Sequence, residues 1–286
     1  MMPFAMPPPL TPTRLARTVA LAVIIGIGIF NLERAVTGWT LSDAQAYWNA
    51  AMRLRAGGDL YPALTSVDAS DVYRYAPWFA WLAVPFTFLP IQLAGAIWSA
   101  ILLAASGLAL VPLVRARAWL LVALFLPILV GISAIGNVQA LLIAWLIHGV
   151  ERRSGPFWIA LAASLKIFPI LLAAVYAGRR QWTRVAATVL LTVLLWAPAL
   201  ASDLHNYATE PGQAASLISV PALYVLLVGA GVVVTFLSGR NRFRWLSGAT
   251  AVVLSLPRIF VYDVTFLMLG VLPASRDTSR SASSIE

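Results

Sequence analysis

The sequence predicts an all-α fold, a polytopic transmembrane helical bundle of about eight to ten crossings with short broken or re-entrant helices, and three observations predict it. First, 60% of the 286 residues are hydrophobic and 11% are charged, with a mean hydropathy of +0.85. A water-soluble domain carries roughly 45–50% apolar residues and has no use for the excess. Second, the basic residues fall in short clusters between long apolar runs. Third, several of those runs are interrupted by proline beside a charge, where a continuous helix cannot persist.

The clusters set the expected topology. They are Arg14/Arg17, Arg115/Arg117, Arg152/Arg153, Arg179/Arg180/Arg184, Arg240/Arg242/Arg244 and Arg276/Arg280. Placing them all in the cytoplasm satisfies the positive-inside rule. The polar stretches between them then face outward. On this reading the net charge of +9 is topogenic, and no nucleic-acid partner is expected. The chain has no cysteine, which excludes disulfides, thiolate metal sites and cysteine nucleophiles. Its two histidines leave little for a histidine-based metal centre.

From the N-terminus, residues 1–13 read as a Pro-rich cytoplasmic tail, and residues 14–274 as one transmembrane domain. The apolar run from Leu15 to about Phe30 is a retained first crossing, being too long for a signal peptide. Residues 33–75 form an outer loop. Within it, Ser42-Asp43-Ala44-Gln45 reads as a capping box opening a short surface helix, closed by Arg53, Arg55 and then Gly57-Gly58. The segment from Tyr75 to Pro90 is apolar but short, and is expected to re-enter or to lie at the outer interface, where Trp78 and Trp81 are at home. Keeping every cluster on one side forces Gly155 to Gly178 and Trp245 to Pro273 each to go out and return. Pro169 after Lys166, and Pro257 before Arg258, supply the breaks. Residues 275–286 are Ser-rich and read as a disordered cytoplasmic tail. Internal repeats, a Gly-rich phosphate loop and heptads are not found in the sequence.

The residues able to carry chemistry are few. Asp43 stands in the first turn of the loop helix, where the helix dipole favours a carboxylate, with Tyr47 one turn on. It either stabilises that helix or serves as a general base at the membrane surface. Lys166 is the only lysine of the chain. An ammonium in an apolar stretch costs at least about 2.5–3.5 kcal/mol, so it needs an anionic partner, a wet cavity or an anionic ligand. Arg258 and Asp263 either pair with each other or serve a ligand, and Arg74 either anchors the interface or does the same. Asp59, Asp68 and Asp71 could join Asp43 around a divalent ion, but their irregular spacing argues for solvated loop acids, and no metal or other cofactor is expected. His205 lies in an outer loop, and His148 beside Arg152 marks the cytoplasmic interface.

Several short motifs, in order along most of the chain, carry a resemblance. They are Asp43-Ala-Gln-Ala-Tyr47, Arg53-Leu-Arg-Ala-Gly-Gly-Asp-Leu-Tyr-Pro62, Tyr73-Arg-Tyr-Ala-Pro77, Gly136-Asn-Val-Gln139, Leu165-Lys-Ile-Phe-Pro169, Leu256-Pro-Arg258 and Tyr262-Asp263. Together they resemble glycosyltransferase family 87, membrane enzymes of the GT-C class that use polyprenyl-phosphate sugars, often mannose. The resemblance implies a GT-C-like catalytic domain in the plasma membrane with its active site on the extracytoplasmic side. It implies Asp43 as catalytic base, with Lys166, Arg258 and Arg74 near the donor phosphate, and Tyr47, Tyr75, Asn137, Gln139, Tyr262 and Asp263 lining the substrates. The partners it implies are a polyprenyl-phosphate sugar and a lipid or glycan acceptor. The chain is shorter than many relatives. Two other readings compete: a transporter or flippase of an anionic lipid or solute, with Lys166 and Arg258 as its midplane site, and a non-catalytic scaffold whose charges merely pair.

Overall fold

A computed structural model describes residues 41–272, apart from 64–65, 67–71, 203 and 208–216, together with the isolated positions 18, 22, 25 and 26. The rest of the expected first crossing, both tails, Asp68 and Asp71 lie outside the described residues. Within them every regular element is a helix: α1 (Ser42–Arg55), α2 (Pro77–Ala83), α3 (Ile91–Arg115), α4 (Trp119–Ala134), α5 (Gln139–Gly149), α6 (Gly155–Leu165), α7 (Ala173–Gly178), α8 (Trp182–Trp196), α9 (Pro221–Ser238) and α10 (Arg244–Ser255). Tight 3-10 turns extend α2 to Phe88 and α8 to Ala201, lead into α7 over Phe168–Leu172, and form the last leg, Val261–Val271.

Among the described residues three helical stretches are long and apolar enough to cross a membrane: Ile91–Arg115, Trp182–Ala201 and Pro221–Ser238. Their outward faces carry bare aliphatic side chains such as Leu108, Val193, Leu226 and Leu237. Only lipid would leave such faces uncovered. The protein is therefore a helical membrane protein. Five further apolar helical stretches among the described residues are shorter, and α4, one of these, also carries bare apolar side chains such as Trp119, Leu124 and Leu126.

The chain alternates between two ends of the bundle. One end gathers the arginines. There the chain reverses through Arg117 and Arg180, both in the left-handed region at φ 54° and 58°. Glu151 in the α5–α6 turn is the node of this end. Its carboxylate accepts from Arg179 at 3.0 Å, from Arg244 at 2.7 and 3.0 Å, and from the Trp245 indole at 2.6 Å. Burial by itself would raise its pKa, but the hydrogen bonds from Trp245, Arg244 and Arg179 outweigh that and hold the carboxyl below its usual range.

Both expected out-and-return segments are present, and the glycines show it. Gly155 at the start of α6 sits against the Tyr176 hydroxyl near the end of α7, and that hydroxyl donates to the Val150 carbonyl at 2.6 Å. So the chain climbs through α6, turns at Lys166 in extended backbone, and comes back. Likewise Gly270, near the end of the last leg, faces Leu246 in the first turn of α10, with space for no side chain larger than hydrogen unless Leu246 shifts. The 11-residue α6 rises only about 16 Å, roughly half the hydrocarbon thickness, and the 11-residue 3-10 leg about 22 Å, still short of it. The two tips therefore stop inside the bundle.

Between Tyr75 and Pro90 the chain does not cross. Pro77 opens a seven-residue α2, Pro85 tightens it into a 3-10 turn, and the pair packs on α1. Trp81 points outward with half its surface exposed, while the Trp78 indole donates to Ser164 Oγ at 3.0 Å.

Candidate active site

The polar groups that the sequence scatters over more than two hundred residues meet at the end opposite the arginines. The meeting is built from the α4–α5 turn outward. Ala134 ends α4, and the chain reverses through Gly136 at φ 83°. A Cβ at Gly136 would stand 2.6 Å from Ala44 Cβ and 2.8 Å from the Ala44 backbone nitrogen, so only glycine lets α1 approach this closely. The approach has a consequence for the helix start. The expected capping box is not formed: Leu41 is the N-cap, in the left-handed region, with no side-chain cap. Instead the Ile135 carbonyl accepts the Asp43 N–H at 3.0 Å and the Ala44 N–H at 3.4 Å. A backbone oxygen from another element has taken the role of Ser42, which leaves the Asp43 side chain free for other contacts.

Asn137 follows. It is 3% exposed, and its Oδ1 accepts the Gln139 N–H at 2.9 Å, which fixes the amide's orientation. Nδ2 then points at Asp43 and donates to Oδ2 at 2.6 Å. Gln139, fully buried, donates from Nε2 to Thr265 Oγ1 at 3.1 Å in the last leg.

The hairpin tips supply the cation. Lys166 Nζ lies 2.9 Å from Asp263 Oδ1 and 4.8 Å from the centre of the Tyr262 ring. Asp263, 1% exposed on its side chain, also accepts the Phe260 N–H through Oδ2 at 2.9 Å. The sequence left open a pairing of Asp263 with Arg258; Lys166 takes that place, because the tips of two hairpins meet where neighbours in one loop do not. Arg258 is half-buried in the same loop, its guanidinium 5.4 Å from the centre of the Phe260 ring.

A tyrosine wall closes the side formed by α1 and α2. The Tyr47 hydroxyl donates to the Tyr75 hydroxyl at 3.2 Å, and Tyr47 packs edge-on against Tyr75, Phe79 and Trp98. Arg74 is held through its backbone, whose carbonyl accepts from the Tyr207 hydroxyl at 2.9 Å. The Ala76 N–H donates to the Ser164 carbonyl at 3.2 Å, tying this loop to the Lys166 tip.

Asp43 is half-buried, on a helix outside the spanning segments. Desolvation raises its pKa above the usual carboxylate value. The Asn137 hydrogen bond and the positive charges of Lys166 and Arg74 pull it back only in part. Such a carboxylate is a better proton acceptor than an exposed one. A fixed carboxylate, a half-buried ammonium and a ring of phenols can bind an anion and take a proton beside it. Asp59 and His205 are exposed. His148 faces α3 and donates to the Leu108 carbonyl at 2.9 Å. Thr265, Ser164 and Tyr207 were not singled out in the sequence; hydroxyl residues in apolar runs give no local signal of their distant partners.

Fold and cluster together define the class: a polytopic helical membrane protein whose ionisable groups converge inside one end of the bundle. Residues 73–209, just under half of the chain, match the family model of Glycosyltransferase family 87, so over that segment the resemblance seen in the motifs is shown. No curated protein and no solved structure matches. The matched segment contains Arg74, Tyr75, Asn137, Gln139 and Lys166, whereas Asp43 precedes it and Arg258, Tyr262 and Asp263 follow it.

Proposed function

We propose that the protein is an inverting hexosyltransferase of GT-C fold that moves mannose from a polyprenyl-phosphate donor to a lipid or glycan acceptor at the extracytoplasmic face of the cell membrane. The observation that carries the reading is the convergence of Asp43, held by Asn137, with Lys166, held by Asp263. In this mechanism the acceptor hydroxyl attacks the anomeric carbon while Asp43 takes its proton. The bond between that carbon and the phosphate oxygen breaks, and its electron pair leaves with the lipid phosphate. Lys166, with Arg258 and Arg74, stabilises the charge that develops on the phosphate in a poorly hydrated site. Tyr47, Tyr75, Asn137, Gln139, Tyr262 and Asp263 line the reactants. One displacement inverts the centre, so a β-linked donor yields an α-linked product.

The test is sugar transfer from radiolabelled polyprenyl-phosphate mannose to endogenous acceptors in proteoliposomes. Transfer that depends on Asp43 supports the reading, and full activity in Asp43→Asn removes the assigned base. The two broken hairpins favour one rival, a transporter or flippase of an anionic lipid, since such proteins place interrupted helices around a midplane site. Counterflow of labelled lipid without product formation would select that rival.

A further inference from the structure

We infer that Asn137 is a positioning residue for the reaction: it holds one oxygen of Asp43 so that the other alone is presented to the acceptor hydroxyl. The inference rests on the proposed role of Asp43 as base. Three features of the geometry support it. The Asn137 amide has a single orientation, because its Oδ1 is occupied by the Gln139 N–H, so Nδ2 must face Asp43. The contact is short, 2.6 Å, as expected when a neutral amide donates to an ionised acceptor. The amide cannot swing away, being 3% exposed between Gly136, whose backbone touches α1, and Gln139, which is tied to Thr265.

With Oδ2 engaged, Oδ1 is the atom left to take the proton. A carboxylate free to rotate about its bond to Cβ would present either oxygen in many directions, and most encounters with the hydroxyl would be misaligned. The Asn137 bond also favours the ionised state of Asp43 against its burial, acting with the charges of Lys166 and Arg74. Besides these, the phenols of Tyr47, Tyr75 and Tyr262 also face Asp43 from the packed elements. Burial raises the Tyr47 and Tyr75 phenols well above their usual range, which leaves the acid side of the pH profile to Asp43.

Two variants separate positioning from a structural or lining role. Asn137→Ala removes both hydrogen bonds. Asn137→Asp is isosteric and keeps an acceptor for the Gln139 N–H, but sets a second carboxylate against Asp43, where two like charges share a proton poorly. Measured on the full-length protein in proteoliposomes, Asn137→Ala is expected to lower kcat about 10- to 100-fold with acceptor KM changed less than about threefold. Asn137→Asp is expected to move the acidic limb of the kcat profile upward by about one pH unit or more. If Asp43→Asn is inactive while both Asn137 variants, folded by their tryptophan fluorescence, keep the wild-type limb and kcat, the positioning role is overturned and Asp43 as base stands. If Asp43→Asn retains full activity, the proposed base falls and this inference with it.

Discussion

Removing Asp263 is the perturbation that best separates what the buried pair does for stability from what Lys166 does for a ligand. At 2.9 Å and an effective dielectric constant of about 20, the two charges attract by about 6 kcal/mol, most of which offsets the desolvation of Asp263, 1% exposed, and Lys166, 16% exposed. Breaking one partner of such a pair costs about 3–5 kcal/mol, because an uncompensated charge remains buried. The lower end applies here, since Lys166 retains some solvent and Asn at 263 can still accept the Phe260 N–H. Asp263→Asn and Lys166→Met are therefore each expected to lose about 3 kcal/mol. The double variant should regain most of that, giving a coupling energy of about 2–3 kcal/mol. Unfolding in mixed detergent micelles, followed through the fluorescence of the 11 tryptophans, measures the cycle. Sugar transfer should not return with stability, because the double variant still lacks the ammonium. Losses that simply add would refute the pair as a stabilising unit. A stable double variant with full activity would refute any role for Lys166 at the donor phosphate.

Three further outcomes follow from the same geometry. Gly136→Ala forces a left-handed backbone on alanine and drives its methyl into the first turn of α1, so it should lose about 2 kcal/mol or more and most activity, read by unfolding and transfer assays on one preparation. Because the folded protein raises the Asp43 pKa, it binds more protons than the unfolded chain between the ordinary carboxylate value and the raised one, so that group's contribution to stability falls as pH rises through this window. Asp43→Asn removes that burden and should unfold no more easily than wild type at pH 7 while losing transfer, and a strongly destabilised variant would contradict this. Glu151 has the opposite sign: its lowered pKa gives stability that is present above the unfolded value and lost as pH falls through the folded one. Glu151→Gln should thus cost about 2 kcal/mol or more at neutral pH through Arg179 and Arg244, with the deficit against wild type shrinking in acid.

The membrane class, the two hairpins and the alternation between a basic end and a polar end were legible in the sequence, because each rests on local composition or on a proline breaking a helix. The cap of α1 was not legible. Ser42 and Gln45 spell a capping box, yet the Ile135 carbonyl competes successfully, and that competition exists only once Gly136 lets the two elements touch. The partner of Lys166 was hidden for the same reason. Arg258 is five positions from Asp263, while Lys166 is nearly a hundred positions away, and only the meeting of two tips chooses between them. Asn137 could be named as a lining residue from its motif, but its orientation depends on a backbone N–H two residues on, which composition does not reveal.

The two hairpins also act as rulers. Each leg is clamped at the arginine end, one by the Tyr176 hydroxyl over Gly155 and the other by Gly270 against Leu246, and each delivers its charge at a fixed distance from the clamp, Lys166 in one and Asp263 in the other. One residue inserted into α6 would lift its tip by about 1.5 Å and turn it by about 100°. Lys166 would then face the bundle wall, and no side-chain rotamer could restore its reach to Asp263. On the lipid-facing side, α9 can gain or lose a residue at its exposed Pro221 end with little effect on the polar centre. Variation in this chain should therefore be written in length on the outer helices and in residue type alone on the inner legs.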